Sequence, residues 1–136
     1  LEFRRVLFRS LDEINIKISD AEWVVMKILW QESPLTSTNI IEALKSKTNW
    51  KPKTIHSLID RLVKKGAVAV NKDYSQFQFN PIVGKKDCVN EETKSFIEKV
   101  YNGSSNFMIS SFIKNEKMSK DEIEDLQRLL NEKLKS

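Results

Sequence analysis

Two residue types that staple or metallate many small proteins are almost missing: the 136-residue chain has one cysteine, Cys88, and one histidine, His56. That excludes an intrachain disulfide, a zinc finger and a thiolate cluster, and it points to a reducing, cytoplasmic home. Glycine and proline are scarce, at three each, which sets aside collagen-like, fibrous and low-complexity chains. No apolar run approaches the ~20 residues that cross a bilayer. No acid–base pair, nucleophile constellation or phosphate-cradling glycine loop can be assembled, so the chain reads as a non-enzyme with no catalytic residue, cofactor or metal. What is there is 40% hydrophobic and 31% charged, the mixture of an ordinary globular domain with a small appendage.

The formal net charge is only +4, but it is unevenly placed. Between Lys45 and Lys65 seven cations face one anion, Asp60, within 21 residues, whereas beyond Asn90 the chain is mixed to acidic. One basic face for a polyanion and a second region with another task is the organisation this asymmetry predicts. Residues 1–10, LEFRRVLFRS, lack the apolar core and cleavage site of a secretory signal and read as a non-native leader. The rival reading is a basic arm that touches nucleic acid.

Periodicity predicts the elements. Ser19 and Glu22 form a capping box ahead of a helical stripe through Trp23, Met26, Leu29 and Trp30, ended by Ser33-Pro34. Thr36, Ser37 and Thr38 offer caps for a second helix with Ile40, Ile41 and Leu44 inward. A third starts at Pro52, in the favoured first position, and stops at Gly66. Its inward residues Ile55, Leu58, Ile59 and Leu62 follow i, i+3, i+4, i+7. At 100° per residue, Lys53, Ser57, Asp60 and Lys64 then fall within about 40° of the opposite pole, flanked by Thr54, His56 and Arg61. Val68, Val70, Phe77 and Phe79 alternate about the turn-rich stretch Asn71 to Gln76, predicting a hairpin ended by Pro81.

The predicted fold class is therefore mainly α with a small β-hairpin: a winged helix-turn-helix over 11–83, followed by a helical dimerisation region over 84–136. The major groove, ~12 Å wide, admits one helix, and the hairpin can reach the neighbouring backbone or minor groove. Candidate DNA contacts are Lys51, Lys53, Thr54, His56, Ser57, Asp60, Arg61, Lys64 and Lys65 on the third helix, with Lys72, Tyr74 and Ser75 at the wing tip. A plainly solvated charged face is the alternative. His56 has no ligand or nucleophile partner at useful spacing, and Trp23, Trp30 and Trp50 read as core and hinge packing.

The last third carries Phe96, Ile97, Val100 and Tyr101 on one helix from Glu91, then Phe107, Met108 and Phe112 on a shorter one. A second capping box, Ser119 and Glu122, opens a final helix with Ile123, Leu126 and Leu130 on one side. About 50 residues cannot bury so many large apolar groups alone. These ten residues are the predicted interface of a homodimer, which would set two recognition helices at a fixed separation for a palindromic double-stranded operator. A tail folded back on the N-terminal domain is the other possibility.

ISDAEWVVMKILW (Ile18 to Trp30), NIIEAL (Asn39 to Leu44), KPKTIHSLIDRLVKKG (Lys51 to Gly66), FIEKVY (Phe96 to Tyr101) and SKDEIEDLQRLLN (Ser119 to Asn131) resemble, in order and spacing, the penicillinase-repressor (BlaI/MecI/CopY) family. The resemblance runs from Leu11, where the family's initiating Met falls, almost to the end. It implies a homodimeric bacterial repressor of β-lactam-resistance genes on operators with TACA/TGTA half-sites. It further implies a membrane sensor-transducer or protease as partner and inactivation by cleavage in the dimerisation region. The family's scissile Asn-Phe falls on Ser111-Phe112, where Ser replaces Asn.

Within the recognition helix His56 stands where the family usually has Arg, and Asp60 where Thr is usual. An imidazole, largely neutral near pH 7, is a weaker phosphate or guanine contact than a guanidinium. Asp60 repels phosphate unless Lys64 neutralises it, or it accepts from a cytosine amine. Lys51 replaces a capping Ser. The paired C-terminal cysteines of copper-sensing members have no counterpart after Cys88. Two other functions compete: a winged-helix adaptor that binds protein without DNA, and a repressor released by a small molecule between its C-terminal helices.

Overall fold

The structure is a computed structural model that describes residues 16–136. Residues 1–15, including the predicted leader, lie outside the described residues. The elements run α1 (Asp20–Gln31), β1 (Leu35–Thr36), α2 (Ser37–Leu44), α3 (Pro52–Lys65), β2 (Val68–Asn71), β3 (Gln78–Pro81), α4 (Lys85–Tyr101), α5 (Ser105–Asn115) and α6 (Lys120–Lys135).

Local chemistry sets the helix starts. Ser19 Oγ accepts from Glu22 N at 3.2 Å while the Glu22 carboxylate accepts from Ser19 N at 2.8 Å, closing the predicted capping box on α1. Thr36 and Asn39 make the same reciprocal pair on α2, each bond 3.1 Å, and Ser119 and Glu122 do so on α6. Gly66 ends α3 in the left-handed region at φ 83°, and Ala67 N–H closes the turn onto Leu62 O at 3.0 Å. A side chain at that φ would be strained.

The chain divides into two compact units, one running to Glu92 and one from Thr93 to Ser136. In the first, α1, α2 and α3 pack on one another, with α1 and α3 also against the sheet. Met26, Leu29, Ile40, Leu44, Ile55, Ile59 and Leu62 are all at most 2% exposed. Each such side chain contributes roughly 1.5–3 kcal/mol by leaving water.

Three features depart from the sequence reading. The predicted hairpin is part of a three-stranded antiparallel sheet in the order β1-β3-β2, with Leu35 opposite Phe79 and Val70 opposite Phe79 from the other side. β1 is two residues long, too short to leave a periodic signal. Phe77 lies outside β3, while Pro81 ends that strand as predicted, paired with Val68. α4 begins at Lys85, six residues before the predicted Glu91, because Cys88 anchors its first turns at 1% exposure while most residues around it are polar.

In the second unit α4 is followed by Asn102 and Gly103, both at positive φ. Ser104 then caps α5 by accepting from Phe107 N at 3.1 Å. Tyr101 stacks edge-on with Phe96 and with Phe107, ring centroids 5.9 and 5.4 Å apart. α5 and α6 contain no buried residue.

Candidate nucleic-acid interface

Among the described helices α3 is the most strongly two-faced. Ile55, Leu58, Ile59 and Leu62 are buried, whereas Lys53, Thr54, His56, Ser57, Asp60, Arg61 and Lys64 are all exposed. The backbone therefore brings seven of the predicted DNA-contact residues onto one helix surface. Lys51, the exposed N-cap residue, makes no side-chain cap bond. Pro52 at the first position leaves no N–H there to satisfy, which reduces the loss from that missing cap.

Lys65 is placed differently. Its ammonium is held by the Glu22 carboxylate and by Lys17 O at 2.8 Å. Glu22 is fully buried. Burial pushes the Glu22 carboxyl up, but the Lys65 ammonium and the Ser19 backbone and hydroxyl donors outweigh it and hold the group below the usual glutamate range. One side chain thus caps α1 and clamps the C-terminal end of α3. Glu22 Oε2 makes no hydrogen bond. The capping role of Glu22 is legible in the sequence, but the clamp is not, since nothing local connects residues 43 positions apart.

The wing is the loop between β2 and β3. Lys72, Tyr74 and Ser75 are exposed in it. Asn71 Oδ1 accepts from Asp73 N at 3.0 Å, and Lys72 Nζ stands 5.6 Å from the centre of the Phe77 ring. This cation–π contact restrains the Lys72 stem. It explains an aromatic left 47% exposed. Two ties hold the frame beneath: Trp30 Nε1 donates to Val83 O at 2.9 Å, and the Trp23 and Trp30 rings meet edge-on at 5.4 Å. Trp50 packs against the same core.

Cys88 is buried, and burial followed by the neighbouring Asp87 pushes its thiol up to about 11, which makes it unreactive near neutral pH. Among the described residues no group of three His, Cys, Asp or Glu side chains could hold a metal ion, and no helix is long and apolar enough to cross a membrane.

In the second unit Phe96, Val100, Phe107, Phe112, Ile123, Leu126 and Leu130 are exposed, and Ile97, Tyr101 and Met108 are half-buried. Met108, Phe112, Ile113, Leu126, Leu129 and Leu130 line an apolar groove of about 490 Å³ between α5 and α6. Ser111 and Phe112 lie within α5, and Ser111 O accepts from Asn115 Nδ2 at 2.9 Å.

Residues 18–132 match the sequence profile of the family described as Penicillinase repressor. The methicillin resistance regulatory protein MecI of Staphylococcus aureus (strain N315) is 42% identical over 123 residues, covering 90% of this chain and all of the relative. The penicillinase repressor of Bacillus licheniformis is 36% identical over 116 residues, 85% of this chain and 91% of its own. Among solved structures, the monomeric form of Bacillus licheniformis BlaI in complex with the blaP half-operator is 38% identical. It covers 53% of this chain and 88% of that one, with a TM-score of 0.48. By its profile match and its relatives along nearly the whole length, the chain belongs to the penicillinase-repressor family of transcriptional repressors.

Proposed function

We propose that the protein is a cytoplasmic, homodimeric repressor of resistance genes that binds a palindromic DNA operator. The observation that carries this reading is the outer face of α3: four cations and His56 on one 14-residue helix, of which only Lys65 is spent on an internal ion pair. Lys53, Arg61 and Lys64, with Lys51 at the helix start, are free to meet phosphates, and Lys72, held over the Phe77 ring, presents its ammonium on the wing. Thr54, His56, Ser57 and Asp60 supply groups that can reach base edges. Tyr74 and Ser75 extend the contact beyond the helix.

The second unit supports dimerisation by what it leaves uncovered. Seven of the ten candidate interface residues are exposed in the single chain, an arrangement that a second copy would relieve by burying both apolar surfaces at once. Relief from repression would follow from cutting the Ser111-Phe112 bond by a protease working with a membrane sensor. That bond lies inside α5, so the segment must unwind to enter a protease cleft, and the loss of α5 would dismantle the groove.

The test is binding to a palindromic duplex at two salt concentrations. If each copy neutralises ~3–4 phosphates, log K should fall with log salt at a slope of about −6. A protein-binding adaptor would give no sharply salt-sensitive complex. Intact-mass measurement during derepression separates cleavage, which yields two fragments, from release by a small molecule, which leaves the chain whole.

A further inference from the structure

We infer that Asp60 is a specificity-determining residue that requires a cytosine at the base position it faces; this rests on the DNA-binding reading above. Asp60 is the one acidic residue of α3. It sits near the middle of the stripe Lys53, Ser57, Asp60, Lys64, which repeats at i, i+4, i+7 and i+11 and rises about 16 Å along the helix. All four are exposed, and they lie opposite the buried stripe Ile55, Leu58, Ile59 and Leu62. When the core side of a helix faces its own domain, the opposite stripe faces the groove floor, and the flanking residues face the phosphate walls. The carboxylate is therefore aimed at base edges.

A carboxylate among cations can also be a simple ion-pair partner, and the neighbouring geometry argues against that. The ion pairs of the described residues are Glu42 with Lys45, Glu22 with Lys65 and Asp125 with Arg128. Asp60 joins none of them, although Arg61 and Lys64 are close by in sequence. Its carboxylate oxygens are unpaired in the free chain, so they are available to accept from a hydrogen-bond donor on the DNA.

The donors on the major-groove floor are few. Guanine presents two acceptors, N7 and O6, and thymine presents O4, so both repel a carboxylate. Adenine offers its N6 amine beside the N7 acceptor, which opposes the same oxygen pair. Cytosine offers its N4 amine with no acceptor on its own major-groove edge, and it is the base a carboxylate reads.

The experiment is selection from a random duplex pool by the full chain and by Asp60→Asn, followed by binding to single-base variants of the enriched site. The wild type should enrich one C·G pair in each half-site, and replacing that cytosine should weaken binding about tenfold or more. An asparagine reads adenine through N6 and N7, so Asp60→Asn should move the preference at that position to adenine and leave the other positions unchanged. Unrelated duplexes should bind the variant more tightly, because a repulsive charge is gone. Matched thermal melts would establish that both proteins are folded. Identical preferences with a uniform gain in affinity would overturn the inference while leaving DNA binding intact. No enriched site and no salt-sensitive complex for the wild type would remove the DNA-binding reading, and this inference with it.

Discussion

The two units of the chain use apolar residues in opposite ways. The unit that ends at Glu92 hides Val25, Met26, Leu29, Ile40 and Leu44 completely, whereas α5 and α6 hide nothing and leave Phe112 and Leu130 more than half exposed. The first is a self-sufficient core whose outer face is free for a ligand. The second is an amphipathic surface that the single chain leaves open, and a second copy covering it would make its stability depend on protein concentration.

Paired truncations sharpen the contrast. Leu29→Ala should lower unfolding stability by about 2–5 kcal/mol, because it leaves a cavity in a closed core, and denaturant melts should read that loss at every protein concentration. Phe112→Asp should leave the first unit's melting nearly unchanged yet weaken self-association by about 2 kcal/mol or more, seen as a concentration-dependent shift to single chains. Equal effects on both readouts would erase the distinction between the units.

The Glu22–Lys65 clamp comes next in size. Glu22→Gln should lower stability by about 1–3 kcal/mol, less than for a wholly buried pair, because the Lys65 side chain remains 35% exposed. Since the Glu22 carboxyl lies below its ordinary range when folded, its contribution is complete above that range and is lost as pH falls through it. Between about pH 5 and about pH 3 the wild type should lose more stability than Glu22→Gln. Parallel pH profiles would show that the clamp is unlinked to protonation.

Two smaller effects concern α3. Lys53→Ala should make the salt slope of DNA binding shallower by about one per chain while weakening all sequences alike. Lys51→Ser should supply a side-chain cap and raise stability by up to about 1 kcal/mol, read by denaturant melts.

Sequence periodicity made most of this fold legible where a local rule sufficed. The capping boxes at Ser19 and Ser119, Pro52 at the start of α3, Gly66 at its end and the stripe from Ile55 to Leu62 all depend on residues within one or two turns. Features that depend on distant partners did not appear. β1 exists only because Leu35 finds Phe79, α4 starts early because Cys88 meets the core, and Lys65 turns inward because Glu22 waits near the start of α1. The candidate DNA surface was readable because one helix carries most of it. The ammonium withdrawn from that surface was hidden, since charge counting cannot tell an external cation from an internally paired one.

Sedimentation of the full chain with its selected palindromic duplex counts the chains bound to one operator. A dimeric repressor requires two chains on one duplex, and a stepwise fall to one chain when a single half-site is erased or when Phe112→Asp is used at low concentration. A single chain bound to the intact palindrome at saturation, with affinity unaffected by that substitution, would contradict it.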